Sequence, residues 1–455
     1  MTDTDRTRIL DINEDLDRTR ILSGSPQDKT IYTGSLASAS NLALTLTATP
    51  ENFYTKTADP AREHILFEAR SVAGAIGGQA AAGALRLPLN ISLVIDRSGS
   101  MDGEPLEYAK RACEYVVDLL EPNDILSVVT FAEHADVIMP ARRVVNKQVV
   151  KDYINRIFTG NTTNLYDGLV VGCQQVASVK NENTLNRVIL LTDGEPTAGT
   201  KDFASIVAQV AEQKGRGITV TALGFGPDYN EELMAGIARR AGGNYYHVAR
   251  PELLPDVFRK ELDTLVRITA RNLRLRVHTP FGVKVKQVYG QQPTFGNRVA
   301  EITLSDIERD SGISSLWEFE ITARPSAKYR IAKADLLYDD ALTGRTEKLT
   351  ADAVVQFTGD ESRISAGVDQ RVRNEITVAQ SARILDKTVM GLRTQQIDRT
   401  MLLQELDRTK TLMLDRGMLT HASEITQAIT DIQDGSAAEK TLMGTIYNLD
   451  QGKIA

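Results

Sequence analysis

Cysteine is scarce in this chain of 455 residues: only Cys113 and Cys173 are present. Two thiols cannot make a disulfide framework for a chain this long. Each falls on the apolar side of an expected helix, so both are read as buried core thiols and the compartment as reducing, that is, cytoplasmic. The five histidines, at 64, 134, 247, 278 and 421, have no ligand spacing, which disfavours zinc. There is no basic excess either. A formal net charge of -7 leaves no electrostatic footprint for nucleic acid. The N-terminus is charged from its third residue and lacks the apolar core of a signal peptide. The one long weakly polar run, "SVAGAIGGQAAAGAL" (71 to 85), consists mostly of Gly and Ala and is too short for a membrane span, so it is read as a connector. Neither a Gly-rich phosphate loop with its Lys nor a Ser-His or Cys-His nucleophile arrangement is legible.

What is present is ordinary globular composition, 42% hydrophobic and 25% charged, in a chain long enough for two to three domains at about 150 residues each. Residues 1–35 are polar and are expected to form a flexible tail with a DRTRIL repeat. Period-two alternation at Leu42, Leu44 and Leu46, and again at Ile65, Phe67 and Ala69, predicts strands within 36–86. Over 87–266 the pattern changes. Apolar runs such as "LPLNISLVI", "ILSVVTF", "RVILLT" and "ITVTALGFG" alternate with amphipathic helical stretches, which predicts a mostly parallel sheet covered on both faces. Period two resumes over 267–358, as in "SLWEFEITA", and helical spacing over 359–455 ends in a polar tail. The expected fold class is therefore α/β: a doubly wound, mostly parallel sheet inserted in an antiparallel β-sandwich, with a C-terminal helical region.

The chemistry gathers where apolar strands end. "LNISLVIDRSGSMDG" leaves its strand at Asp96 and then places Ser98 and Ser100 at every second position. "TGNTTNLYDG" carries Thr163 just before a helix, and "LLTDGEPTAG" brings Asp193 off another buried strand. Ligands of a parallel sheet bind at the carboxyl ends of its strands, where these loops converge. Carboxylates and hydroxyls without His or thiolate form a hard oxygen set that suits Mg²⁺ or Mn²⁺.

These residues resemble the von Willebrand factor A domain with a metal-ion-dependent adhesion site, whose pattern is Asp-x-Ser-x-Ser, a later Thr, and a later Asp-Gly. Asp96, Ser98 and Ser100 match the first element, Thr163 the second, and Asp193 with Gly194 the third. The wider arrangement resembles bacterial intracellular proteins of this type. The resemblance implies a Mg²⁺ or Mn²⁺ ion held by Asp96, Ser98, Ser100, Thr163 and Asp193 and completed by an acidic side chain of a protein partner. The function expected from it is a non-catalytic, metal-dependent protein-binding scaffold. A metal-dependent phosphoester hydrolase and a purely structural assembly subunit are the alternatives.

The tails add a repeat: "DRTRIL" at 5–10 and 17–22, "DRTMLL" at 398–403 and "DRTKTL" at 407–412. Thr7, Thr19, Thr400 and Thr409 sit beside arginines as candidate acceptors for a Ser/Thr kinase, with a phosphothreonine reader as possible partner. The same segments also read as amphipathic helix that packs on the C-terminal helices.

Overall fold

The structure, a computed structural model, describes residues 43–454 apart from 58, 73–86, 182–183, 227–228, 249, 342, 395, 397, 435–437 and 451. Both DRTRIL copies, with Thr7 and Thr19, lie outside the described residues, as does nearly all of the Gly/Ala connector.

The chain begins with strands β1 (Leu44–Pro50), β2 (Tyr54–Lys56) and β3 (Ala61–Ser71). An alternating segment follows: β4 (Leu89–Asp96), α1 (Glu104–Leu119), β5 (Ile125–Phe131), β6 (Ala135–Arg143), α2 (Lys147–Asn155), α3 (Leu165–Ser178) and β7 (Leu185–Thr192). It continues through α4 (Phe203–Gly215), β8 (Thr219–Phe225), α5 (Glu231–Ala241), β9 (Tyr245–Val248) and α6 (Leu254–Val266). Strands return as β10 (Ile268–His278), β11 (Val283–Val288), β12 (Thr294–Gly296), β13 (Val299–Thr303), β14 (Ile307–Glu308), β15 (Gly312–Ile321), β16 (Lys328–Asp340) and β17 (Thr346–Thr358). The last stretch holds α7 (Glu361–Ala366), α8 (Gln370–Arg393), α9 (Arg399–Asp415), α10 (Leu419–Gln433), α11 (Ala438–Asp450) and β18 (Lys453–Ile454).

The middle segment forms a sheet of order β6-β5-β4-β7-β8-β9, parallel except for the antiparallel edge strand β6. Its strands are apolar on both faces because both are covered. Ile91, Leu93 and Ile95 of β4 pack under α1, α2 and α6, while Val94 joins the core beneath α3, α4 and α5. From β4 the chain winds outward to β5 and β6, then returns to place β7 on the other side of β4. The crevice between the carboxyl ends of β4 and β7 is thus the switch point where such sheets take ligands.

The flanking strands make two antiparallel sheets that share one core. One has the order β1-β3-β15-β11 with β18 added on β15. The other runs β12-β13-β10-β16-β17-β2 with β14 on β10. Their inward residues meet in a cluster that includes Phe67, Trp317 and Phe319 from the first sheet and Leu275, Leu336 and Phe357 from the second. Trp317 is fully buried, donates Nε1–H to Ser315 Oγ at 2.8 Å and meets Phe67 edge-on with centroids 5.9 Å apart. Because β3 and β15 pair along their length while the α/β segment lies between them in sequence, that segment is an insertion in the sandwich.

The two bodies are joined by buried charge. Arg187 at the start of β7 lies 3.8 Å from Glu261 of α6 and 3.5 Å from Asp306, which precedes β14 of the sandwich. Glu261 is fully buried and also accepts from Thr221 at 2.5 Å, Asn244 at 2.7 Å and Tyr246 at 3.0 Å, so its carboxylate is compensated on several sides.

The C-terminal helices add a second tie. On α8, Val372 and Ile376 pack with Leu66 and Leu316 of the sandwich, and Val378, Ala382, Leu385 and Val389 continue into the α/β core. The segment "KTLMGTIYNLD" lies in α11, within the stretch where a polar tail is expected, and buries Leu442, Met443, Ile446 and Tyr447 against that same core. Tyr447 donates to the Gly243 carbonyl at 2.6 Å, and Lys440 sits over the Tyr229 ring at 3.8 Å and 3.6 Å from Glu231. The helix is hard to see in the sequence because its apolar residues are interleaved with Thr and Gly. Their helical spacing becomes meaningful only beside the α5–β9 edge.

At that junction Tyr229 bridges Tyr245 at 2.8 Å and His247 Nδ1 at 2.7 Å. Burial, reinforced by Lys440 of α11, pushes the His247 pKa from 6.5 down to about 4, with Asp431 of α10 and Glu231 of α5 pulling weakly upward. A depressed folded-state pKa means that the unfolded chain takes up a proton first, so this stabilisation is present above pH 6.5 and is lost as pH falls toward about 4. Urea midpoints should therefore decline over that window, and His247→Asn should flatten the decline. An unchanged slope in the variant would remove His247 as its cause.

Candidate metal centre

Asp96 ends β4 and Thr192 ends β7, and the parallel register that pairs Ile95 with Leu191 sets the two ends side by side. Thr192 Oγ1 donates to Asp96 Oδ2 at 2.5 Å, and the Ser98 backbone N–H donates to Asp96 Oδ1 at 2.8 Å. Both carboxylate oxygens are therefore held before any ligand is considered. Ser98 Oγ lies 3.2 Å from Ser100 Oγ, and Ser100 donates to Asp193 Oδ1 at 2.7 Å. The first and third sequence elements are thus linked hydroxyl to hydroxyl to carboxylate.

Thr163 comes from the loop before α3. Its hydroxyl and that of Ser100 lie 3.7 and 3.4 Å from the point where a Cβ on Gly194 would stand, so all three loops meet there. The neighbouring Thr162 hydroxyl is buried without a hydrogen-bond partner. The loop is held by Asn164, which caps α3 by accepting from the Asp167 N–H at 3.3 Å and donates to the Glu133 carbonyl at 3.2 Å. Thr163 is tied to the third loop as well, because its carbonyl accepts from Thr197 and Ala198 N–H at 3.0 and 3.2 Å.

Helix α3 reaches this position by lying unusually near the sheet. A Cβ on Gly172 would come within 2.3 Å of Val94 Cγ2, and one on Gly168 within 2.6 Å of the Phe131 ring. Two glycines four residues apart therefore give α3 a flat face that meets β4 and β5.

Burial raises the Asp96 pKa to about 6 against the hydrogen bonds from Ser98 and Thr192, and the nearby Asp193 carboxylate adds to the rise. Asp96, Ser98, Thr163 and Asp193 are all nearly buried, at 0, 1, 4 and 8% exposure, whereas Ser100 is exposed and forms the open lip. Two buried carboxylates that disfavour each other's charge, framed by hydroxyls, fit a hard divalent cation bound through oxygen. Sequence reasoning missed Thr192 and Asn164, which position the candidate ligands. Thr192 lies one residue before Asp193 and could have been suspected from that position alone.

Residues 90–260 match the family model for the von Willebrand factor type A domain, and with the sheet order above the chain plainly contains a domain of that family. An uncharacterized protein of Synechocystis is 30% identical over 275 residues, 58% of this chain and 65% of that protein. The chain thus spans a little under two thirds of that relative's length. Among solved structures, a von Willebrand factor type A protein from Catenulispora acidiphila aligns over 84% of this chain and 89% of its own, with a TM-score of 0.70 and 16% identity. The ArnB paralog VWA2 from Sulfolobus acidocaldarius aligns over 90% and 99%, with a TM-score of 0.59 and 15% identity. At these identities the two structures establish the shared fold, sandwich and helices included.

Gly172→Ala should destabilise the protein by about 1–3 kcal/mol, because the added methyl group collides with Val94 in a packed layer. Gly215→Ala is the control, since nothing lies within 4 Å of a Cβ added there. Equal urea midpoints for the two variants would refute the close-approach account of α3.

Proposed function

We propose that this protein is a non-catalytic scaffold that binds a protein partner through a Mg²⁺ or Mn²⁺ ion held by Asp96, Ser98, Ser100, Thr163 and Asp193. The observation that carries the reading is the convergence of these five residues, from three loops, at the switch point of the sheet, with Ser100 at the open lip. When bound, the cation supplies a Lewis-acidic position that an acidic side chain of the partner completes. The chain's own residues orient this position: Thr192 and the Ser98 N–H fix the Asp96 carboxylate, and Asn164 holds the Thr163 loop. The hydroxyls of Ser98 and Ser100 are engaged with each other and with Asp193, which favours a ligand role over that of a nucleophile. The described residues contain no helix long and apolar enough to cross a membrane. Cys113 and Cys173 are both buried and unpaired, consistent with a reducing cytoplasmic setting, and burial pushes the Cys173 thiol up to about 12.

The raised Asp96 pKa gives this reading a sharp test. A carboxyl whose folded pKa lies above its unfolded value loses its stabilising contribution as pH rises through about 6, so at neutral pH the ionised group burdens the metal-free protein. Asp96→Asn should melt at or above the wild-type temperature without metal, yet lose the upward shift that Mn²⁺ gives the wild type. A full Mn²⁺ shift in the variant would sink the assignment. Capture of a partner in Mg²⁺ but not in EDTA, with no turnover of a generic phosphate ester, separates the scaffold from the hydrolase.

The tails carry the regulatory part of the proposal. Thr400 is exposed in the first turn of α9, just after the capping Asp398, where a phosphate meets the positive end of the helix dipole. Thr409 is 4% exposed among the C-terminal helices, and a phosphate there requires the packing to open. A Ser/Thr kinase acting on the repeats would then modify Thr7, Thr19 and Thr400, and a phosphothreonine reader would bind them, with Thr409 unmodified in folded protein. Phosphopeptide mapping of protein from its native cells checks this. Phosphate on Thr409 with none at the other three would contradict the ordering.

A further inference from the structure

The amino ends of the strands in the α/β body, opposite the candidate metal centre, open onto a cavity of about 950 Å³. Three parts of the chain wall it: the start of β7 with the ends of α4 and α5, strands β10, β13 and β16 of the sandwich, and α8. Its size lies within the range of small-molecule sites. Eight lysines and arginines line it against three acids, Glu301, Asp339 and Asp386.

Arg216 pairs with Glu212 at 2.6 Å, but two of the three lining acids are committed elsewhere. Glu301 is committed to Arg276, which lies outside the cavity wall, and Asp339 accepts from Asn272 and Thr346, each at 2.7 Å. Arg240 and Arg383 donate to the neutral carboxamides of Gln292 and Gln287, the second at 3.1 Å. No described residue pairs with the Arg274 guanidinium. A second, independent observation comes from Lys214. It is 7% exposed, its Nζ makes no hydrogen bond, and Asp306 approaches only to 3.6 Å. A buried ammonium without a hydrogen-bond acceptor is costly.

From this cavity we infer a binding site for a small non-aromatic polyphosphate, with Arg240, Arg274 and Arg383 gripping phosphate oxygens from three sides and Lys214 at the base. Guanidinium forks match phosphate oxygens in geometry as well as in charge, which a lone carboxylate would not require in such number. The non-aromatic part follows from the lining. Its single aromatic residue is Tyr338, which is fully buried and offers no face on which a base could stack. The amide side chains of Gln291 and Asn181 are suited to hydroxyl or phosphate oxygens instead.

The site does not depend on the metal centre, which lies at the far end of β7, and the test keeps the two apart. Inorganic triphosphate is titrated calorimetrically into the full chain in EDTA, so that no divalent ion can bridge it to Asp96. One molecule should bind per chain, and the affinity should fall steeply as salt rises to about 0.5 M. Arg274→Gln with Arg383→Gln should weaken binding about tenfold or more, from loss of two charge-assisted contacts, without lowering the melting temperature. Asp96→Asn should bind triphosphate as the wild type does. Absence of heat up to about 1 mM triphosphate, or an unchanged affinity in the folded double variant, overturns the site. ATP binding about tenfold more tightly than triphosphate overturns the non-aromatic assignment, because the base would then be contributing contacts.

Discussion

The pairing of β4 with β7 is the constraint on which the rest of the molecule depends. Seven residue pairs in parallel register align the ends of two strands whose connections leave in opposite directions, so no helix can cover the crevice between those ends. The same pairing buries Asp96 to the point of full exclusion from solvent and then brings Thr192 and Asp193 beside it. A carboxylate in that position is unfavourable unless something compensates its charge. The fold supplies hydrogen bonds that only partly do so, and its pKa remains raised.

Burial is handled differently at the two ends of β7. Arg187, near its amino end, is buried among carboxylates from α6 and from the sandwich, and Glu261 is satisfied by Thr221, Asn244 and Tyr246. At the carboxyl end, Asp96 accepts from the Thr192 hydroxyl and the Ser98 N–H, and Ser100 donates to the neighbouring Asp193. One cluster sets charges of both signs against each other between the two bodies. The other sets two carboxylates close enough for Asp193 to help raise the Asp96 pKa. That contrast sets an ion network with a structural task apart from the candidate site.

Much of this could be read in the chain. The apolar run that stops at Asp96 is a strand buried on both faces, and the change from period two to alternating strands and helices marks the inserted body, because side-chain periodicity follows the geometry of each element. The edge strand β6 was harder to see. "ADVIMPARR" sits at a sheet margin with only Met139 buried, so it carries neither a continuous apolar run nor clean alternation. The role of α11 was hidden for a related reason, since Lys440, Thr441 and Thr445 are buried there beside the apolar residues and blur the stripe. Asn164 and Thr192 were passed over because capping and carboxylate-orienting residues are ordinary in type and become distinctive only by position. The Thr163 hydroxyl lies 3.7 Å from the point where a Cβ on Gly194 would stand.

The C-terminal helices explain how a loop-built site can sit on an inserted domain without losing its orientation. An insertion joined to its host by only two crossings would be free to swing, since few contacts would resist rotation about them. Here α8 packs against β3 and β15 with its first turns and against the α/β core with its later ones, so one rigid helix spans both bodies. Helix α11 then packs on α5 and β9, and the chain returns to pair β18 with β15, which ties the far edge of the parallel sheet back to the sandwich. All of these contacts fall on the β8–β9 side or at the amino ends of the strands. The loops after β4 and β7 and before α3 are left uncovered, with Ser100, Glu195 and Asn161 exposed. A body fixed on one side and open at its switch point presents its loops in a constant direction, and the entropy cost of orienting them is met on folding.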